Sequence, residues 1–285
     1  MPLDYDKLIN WSAKTLDQHY STKDTILYAL GIGLAHDPLD QKQLPFVYEK
    51  KLRSLPTMAT ILCYPFGWLH KAEAGITRLK LVHAEQGIQI HKPIPTQGAL
   101  TGSTAVTSIV DKGKDKGALI YSERRVCDKE TGDLIFTATA TTFCRADGGF
   151  GGPSGPTKPA PEIPARDPDF VCDLPTLPQA ALIYRLCGDT NPLHIEPEIG
   201  KRAGFQGPLL HGLCTFGVAG HAILKTLCDY DETMLTSLDT RFSAPVYPGE
   251  ALRTEIWQNG TDVRFRSSIA ARASIVLSGT AKLKD

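Results

Sequence analysis

Hydrophobic and polar residues alternate along two long stretches of the chain, and this pattern predicts two sets of β-strands. Leu252, Thr254 and Ile256 alternate with polar neighbours, which is typical of a strand with one buried face. In the C-terminal half we predict strands near 235–246, 250–258, 261–271 and 273–283. In the N-terminal half the predicted strands lie near 76–84, 86–92, 98–111, 117–127 and 133–144.

Each half also carries one hydrophobic segment of helical length before its strands. Residues 211–227 are hydrophobic on nearly every side, which predicts a helix that is buried all round. A buried helix followed by antiparallel strands suggests a sheet that curls around the helix. The counterpart, residues 55–72, contains Pro65 and Gly67, so we expect a broken helix there. The interruption should leave apolar space among Met58, Leu62, Phe66 and Trp68, unless the neighbours simply repack.

A glycine- and proline-rich segment separates the two halves. Residues 147–167 contain five glycines and five prolines, a composition that cannot continue a helix or a central strand. The flanking halves resemble each other, with Tyr28 in a short helical pattern that recurs at Tyr184. We therefore predict a duplicated fold. Residues 1–146 would form the first domain, 147–167 a linker, and 168–285 the second domain.

Composition narrows the functional classes. Hydrophobic residues make up 42% of the 285, and 31 Lys plus Arg balance 31 Asp plus Glu. A neutral chain lacks the basic surface of a nucleic-acid-binding protein, and no apolar run is long enough to cross a bilayer. The seven cysteines include no C-x-x-C pair, which disfavours disulfides and structural zinc. With no secretory signal at the N-terminus, we expect a cytoplasmic protein with no nucleic-acid or membrane partner.

The segment 188–194 holds the residues best suited to acid/base chemistry. It follows a predicted helix over 179–187, and Gly188 is a typical helix stop. Asp189 and His194 can converge across the loop on one water molecule, and Asn191 could fix the loop or orient that water. The alternative is an ordinary turn without catalytic function, because Asp, Asn and Pro are also the residues that favour turns.

A second candidate lies where the buried helix begins. The sequence there runs Gly-Pro-Leu-Leu-His-Gly over 207–212, and a helix N-terminus presents free N–H groups with partial positive charge. Gly212 has no side chain, so a thioester oxygen could approach its N–H closely, as an oxyanion hole requires. The alternative is that glycine here only permits close packing.

Other kinds of site find little support. The chain has neither the G-x-S-x-G of serine hydrolases nor a G-x-G-x-x-G after a strand. His194, His211 and His221 do not share a metal-binding spacing, so we expect no metal and no cofactor. The lysines at 112, 114 and 116 fit a solvated hairpin turn, or a site for nucleotide phosphates.

Together these motifs resemble those of a known family. Residues 184–195, the stretch from Ala203 to Gly217, and residues 241–249 are similar to the hydratase 2, or MaoC-like, enoyl-CoA hydratases, and most closely to the hydratase 2 region of the peroxisomal multifunctional enzyme type 2. The resemblance covers essentially the whole chain. It implies an α+β double hot dog fold, in which two antiparallel sheets each wrap a central helix.

The resemblance also implies a role for each domain. Residues 1–146 would be a degenerate hot dog domain that binds the acyl chain and coenzyme A, and 168–285 would be the catalytic hot dog domain. The apolar space at the interrupted helix would hold an acyl tail. We also expect a homodimer.

The resemblance implies a role for each site residue. Asp189 and His194 would be the catalytic pair, with Asn191 in the same motif and the Gly212 N–H as donor to the thioester oxygen. The acyl-CoA substrate would be bound by residues at or near the positions that contact it in the family: His83, Ala84, Lys112, Thr190, Pro192, Leu193 and Phe242. Ala84 departs from the glycine of similar family members.

The implied activity is an (R)-specific, reversible hydration of trans-2-enoyl-CoA to (R)-3-hydroxyacyl-CoA, in fatty acid or related acyl-CoA metabolism. An acyl-CoA thioesterase on the same fold is an alternative, because fold alone does not fix function. A thioesterase needs an oxyanion donor but not the Asp-x-Asn-Pro-x-His loop. A non-catalytic acyl-CoA binder would need neither side chain of the pair, and an acyl-carrier-protein substrate also stays open.

Overall fold

The computed structural model describes residues 3–12, 15–77 and 80–285, except the side chain of His70. Strands and helices are numbered in chain order. The strands are β1 Leu16–Tyr20, β2 Leu81–Ile90, β3 Gly98–Asp111, β4 Ala118–Asp128, β5 Leu134–Cys144, β6 Phe170–Pro175, β7 Leu235–Phe242, β8 Ala251–Asn259, β9 Asp262–Ile269 and β10 Ser274–Leu283. The α-helices are α1 Tyr5–Ile9, α2 Thr22–Gly31, α3 Trp68–Lys71, α4 Ala180–Tyr184, α5 Pro197–Arg202 and α6 Gly212–Leu227.

The strands form one antiparallel sheet whose order repeats between the halves. The order is β1-β3-β4-β5-β2 in the first half, continued by β7-β10-β9-β8-β6 in the second. Read from its outer edge inwards, each half therefore places its strands in the same sequence. The halves join where β2 pairs with β7, from Glu85 opposite Arg241 to Gln89 opposite Ser237. The predicted α+β double hot dog architecture and its internal repeat are confirmed, with the two sheets fused side by side.

The sequence patterns missed both edge strands and divided one strand in two. Four of the five β1 residues are at least partly exposed, and β6 is exposed at every second position, so neither gives a strong hydrophobic signal. The strands predicted near 76–84 and 86–92 are the single strand β2. Pairing with β5 skips a residue between His83 and Glu85, so Ala84 is the extra residue of a β-bulge, which disturbs the alternation.

The central helix of the C-terminal half is as predicted. Helix α6 is buried from Leu213 to Leu224, and its glycines let the other half approach closely. A methyl group on Gly217 would come within 2.6 Å of Ile32, and one on Gly220 within 2.4 Å of Thr57. The N-terminal half thus packs against the same helix that fills the C-terminal sheet.

The central segment of the N-terminal half is interrupted, also as predicted. It consists of a 3₁₀-helix, Pro56–Thr60, then turns, then the four residues of α3. The single apolar space predicted among four residues is not formed as expected. Met58 and Leu62 belong to the main core, whereas Trp68 belongs to a second cluster, in which it stacks on Trp11 at 4.1 Å. That part of the prediction is wrong.

Polar side chains form hydrogen bonds with the backbone groups that the interrupted helix leaves without helical partners. Arg124 on β4 is buried, and its Nη2 donates to the carbonyls of Ala59 and Thr60 at 2.7 and 3.0 Å. The side chain of Gln18 accepts from the N–H of Cys63. These bonds replace the helical ones, because buried backbone groups must find partners.

The glycine- and proline-rich segment begins against the first half of the sheet, where the N–H groups of Gly149 and Gly151 donate to the Asp111 carboxylate, and continues along the second half. It has neither helix nor strand between Cys144 and Phe170. Arg264 donates to the carbonyl of Glu162 at 2.8 Å and Trp257 to that of Arg166 at 2.9 Å. All seven cysteines are free. Within the described residues, every helix is too short or too polar to span a bilayer.

Candidate active site

The loop after α4 is built by two side-chain turns. The Asp189 carboxylate accepts from the N–H of Asn191, and the Asn191 side chain accepts from the N–H of Leu193, both at 3.1 Å. Asn191 thereby caps a 3₁₀ turn, Pro192–His194. The loop starts at Gly188, whose φ of 121° excludes a side chain without strain. The turn chemistry read from the sequence is therefore real, and it is what aims Asp189 and His194.

The tautomer of His194 follows from its contact with the backbone. Its Nδ1 lies 2.9 Å from the carbonyl oxygen of Leu209. Because a carbonyl can only accept, Nδ1 carries the proton, and Nε2 of the neutral ring is left as a base. Burial lowers the pKa of His194, and the Asp189 carboxylate opposes that shift. The ring is therefore kept neutral to a lower pH than an exposed histidine.

A second imidazole lies against the first. The rings of His194 and His211 stack with centroids 3.8 Å apart and planes inclined by 26°. His211 Nε2 lies 3.1 Å from the backbone oxygen of Asp189, so this nitrogen donates. Burial, then the neighbouring His194, lowers the pKa of His211 to about 4. Both imidazoles are therefore neutral near pH 7.

Asp189, His194 and His211 are also a group that could be considered for a metal ion. They offer ligand atoms within 4.8 Å of one another. Each ring already commits one nitrogen to a backbone carbonyl. A metal must lie about 2.1 Å from each nitrogen and in the plane of its ring, and two rings stacked face to face cannot both meet that condition. The arrangement fits proton transfer better than metal binding.

Gly212 is the first residue of α6, with His211 as its cap. A methyl group built on Gly212 would lie 3.7 Å from the Phe242 ring. Phe242 therefore lies opposite Gly212, at the N-terminus of the helix. The Phe242 ring in turn lies 5.4 Å from His83. His83 donates from Nε2 to the carbonyl of Glu85 at 3.0 Å, and burial lowers its pKa. The sheet junction and the helix start therefore meet here.

The other predicted residues fall into three places. Ala84 forms the bulge beside His83. Thr190 and Pro192 are exposed in the loop, and Leu193 is half-buried. Lys112 follows β3, which β4 and β5 separate from β2, and its ammonium group lies 5.5 Å from the Phe143 ring centre. The structure thus groups Asp189, His194, Gly212, Phe242 and His83 and leaves Lys112 on a separate hairpin.

Two family models match consecutive parts of the chain. The MFE-2 hydratase 2 N-terminal domain matches residues 18–146, and the MaoC like domain matches residues 159–279. The chain is 42% identical to 3-hydroxyacyl-thioester dehydratase Y of Mycobacterium tuberculosis, with 90% of each chain covered. The chain belongs to the MaoC-like hydratase 2 family.

Two further relatives of this hydratase 2 family member are similar to it over nearly its whole length. Enoyl-CoA hydratase 2, peroxisomal, of Arabidopsis thaliana is 37% identical over 91% of this chain and 89% of its own. The crystal structure of a MaoC-like dehydratase from Phytophthora capsici superposes with a TM-score of 0.86 at 31% identity, covering 99% of this chain and 98% of that one. The similarity therefore extends over both halves.

Sequence reasoning missed two neighbours of the site in this hydratase 2 family member. The sequence placed His211 at the helix start and among histidines without a metal-binding spacing, yet the fold stacks it on His194. Phe66, expected to line an acyl pocket, packs against Gly188, where an added methyl group would lie 2.8 Å from its ring. The position of His211 at a helix cap beside Gly212 was the one available signal. Nothing in the sequence indicated the Phe66 contact.

Proposed function

We propose that this hydratase 2 family member is a hydro-lyase that adds water to trans-2-enoyl-CoA, reversibly, to give (R)-3-hydroxyacyl-CoA. One observation carries the proposal. The unprotonated Nε2 of His194 and the carboxylate of Asp189 belong to one short loop beside the free N-terminus of α6 at Gly212. A base and an oxyanion donor in one place are what hydration of an enoyl thioester requires.

In the proposed mechanism, His194 and Asp189 hold the water between them. His194 Nε2 takes one proton from the water as its oxygen bonds to C3 of the enoyl group. The double-bond electrons then move towards the carbonyl, and negative charge develops on the thioester oxygen. The Gly212 N–H stabilises that charge, helped by the partial positive charge of the helix N-terminus. The pair returns a proton to C2, so one water is added in total.

We assign the remaining residues to binding. Phe242, His83 and the bulge at Ala84 would contact the thioester, because Phe242 lies opposite Gly212, His83 lies beside the Phe242 ring, and Ala84 follows His83. The exposed loop residues Thr190 and Pro192, with Leu193, would contact the bound substrate at the mouth of the site. Lys112 on its hairpin would meet the phosphates of coenzyme A. No metal or other cofactor takes part in this scheme.

The broader setting is also part of the proposal. We propose that residues 1–146 bind substrate without reacting, that 147–167 link the halves, and that 168–285 carry the chemistry. We place the enzyme in fatty acid metabolism, in the cytoplasm, in keeping with its seven free thiols. A peroxisomal relative makes imaging of a tagged chain the necessary test. We propose a homodimer, supported by the exposed Leu182 and Leu186 and tested by light scattering.

The activity is tested with crotonyl-CoA and a longer trans-2-enoyl-CoA. The proposal predicts loss of the enoyl-thioester absorbance, an (R)-3-hydroxy product on chiral analysis, and a kcat at least about 100-fold lower with Asp189→Asn. An (S) product would contradict the stereochemical assignment. Release of free coenzyme A thiol without loss of the double bond would instead show a thioesterase. The same assay with crotonyl attached to acyl carrier protein compares the two carriers.

A further inference from the structure

His211 contacts both members of the proposed catalytic pair from a buried position. It is 1% exposed, it caps α6, and its ring is stacked on His194. Its ring is also near that of Tyr184, with centroids 5.0 Å apart and planes inclined by 46°. The His194 ring is therefore held from one side by His211, which Tyr184 supports in turn.

The same ring is bonded to the loop that carries Asp189. The backbone oxygen of Asp189 accepts from Nε2 of His211 at 3.1 Å. Nδ1 is buried and has no hydrogen-bond partner in the described structure, so the single bond fixes the tautomer and the ring orientation. Because the pKa of His211 is lowered to about 4, the ring keeps this neutral form throughout the neutral pH range.

We propose that His211 is a positioning residue that fixes Asp189, His194 and Gly212 relative to one another. The inference rests on the proposed function and adds a residue to it. Without His211, the pair stands on a loop whose residues Thr190 and Pro192 are exposed. The peptide bond after His211 supplies the Gly212 N–H. One residue therefore fixes the positions of three groups: the Asp189 loop, the His194 ring and the Gly212 N–H. Catalysis is sensitive to such placement, and a displacement of about 1 Å can cost roughly 100-fold.

Three substitutions separate the hydrogen bond from the filling of space. His211→Gln can place an amide N–H where Nε2 lies, and His211→Asn has too short a side chain to do so. His211→Phe keeps a ring against His194 and removes the donor. His221→Phe is the matched control, since His221 is also on α6, is 2% exposed and has an unpartnered Nδ1. Its partner is instead the Tyr230 hydroxyl at 3.1 Å.

Steady-state hydration of crotonyl-CoA is measured for each variant, with circular dichroism to verify folding. We expect kcat of His211→Asn and His211→Phe to fall at least about 10-fold with KM within about 3-fold, within the range for misplaced catalytic groups. His211→Gln should recover most of the loss, and His221→Phe should stay within about 2-fold of the wild type.

Four results would overturn the inference. Wild-type kcat in the folded His211→Phe would show that the bond to Asp189 is unnecessary. An equal loss in His221→Phe would show a packing role, and a loss confined to KM would show a role in substrate binding. A wild-type enzyme without hydratase activity would refute the proposed function itself, and this inference with it. The first three outcomes leave the proposed function standing, so the two failures are distinguishable.

Discussion

The two halves of the chain arrange their strands alike and differ in the segment that each sheet encloses. In the second half, α6 runs unbroken for 16 residues. In the first, Pro56–Thr60 and Trp68–Lys71 are separated by turns, and the buried Arg124 bonds the freed carbonyls. The comparison shows that the same sheet is formed in both halves although a continuous central helix is present in only one of them.

The difference is sharpest at the first residue of each central segment. Gly212 begins α6 and Pro56 begins the 3₁₀-helix, and each follows a residue in the same extended conformation, with φ and ψ of −58° and 134° for His211 and −75° and 136° for Leu55. The backbone path into the segment is therefore the same. Proline has no N–H, so only the second half can offer a donor to a thioester oxygen at this position.

The largest effect should come from the catalytic pair. Asp189→Asn and His194→Ala should each lower kcat by about 10²–10⁴-fold while the chain still folds. The N-terminal half offers a matched control in Asp37, whose carboxylate accepts from the N–H two residues later, as that of Asp189 does. Asp37→Asn should leave kcat unchanged. Steady-state assays with enoyl-CoA measure kcat for each variant. Equal losses in Asp189→Asn and Asp37→Asn would contradict a catalytic role specific to the second half.

Exchanging the first residue of the helix should have the next largest effect. Gly212→Pro should fit, because His211 already has the conformation that proline requires of its predecessor, and proline is favoured at this helix position. Loss of the N–H should lower kcat by roughly 10²–10³-fold. Gly212→Ala keeps the N–H, and its methyl group meets Phe242 only at 3.7 Å. If proline is no worse than alanine in the kinetic assay, the donor role is wrong.

The interrupted segment should depend on Arg124. Arg124→Met leaves the carbonyls of Ala59 and Thr60 without their donor, which should lower the free energy of unfolding by about 1–3 kcal/mol. The exposed neighbour Arg125 gives the control, Arg125→Met, with little expected change. Urea titrations measure both. Equal stabilities for the two variants would mean that the bonds to the interrupted segment contribute nothing.

A smaller effect should appear in the acid stability of α6. Burial lowers the pKa of His221 to about 4, whereas the unfolded chain titrates near 6.5. The unfolded state thus binds the proton first, so stability is fully present above about pH 6.5 and falls as the pH drops towards 4. His221→Phe should flatten this dependence when unfolding is followed against pH. An unchanged slope would show that His221 does not contribute.

The sequence predicted the regular elements of both halves and missed the edge strands, for physical reasons. A continuous buried helix and alternating strands repeat their signal over many residues, so α6, strands β7 to β10 and strands β3 to β5 were found. The edge strands were missed because pairing on one side suffices to form them without a hydrophobic pattern. Asp189 and His194 were found because one loop contains both. The contacts of His211 and Phe66 arise from packing between distant segments, which no local pattern records.

The central claim, that one half reacts and the other does not, is tested most directly by titration with a non-reactive acyl-CoA analogue. At the 156-residue offset that relates Tyr28 to Tyr184, the positions of Asp189, His194 and Gly212 correspond to Gly33, Pro38 and Pro56. We therefore expect a complete site only once in each chain. Isothermal calorimetry should therefore saturate at one analogue per chain, and Gly212→Pro should weaken that single binding event. Two equivalent sites per chain would contradict the account.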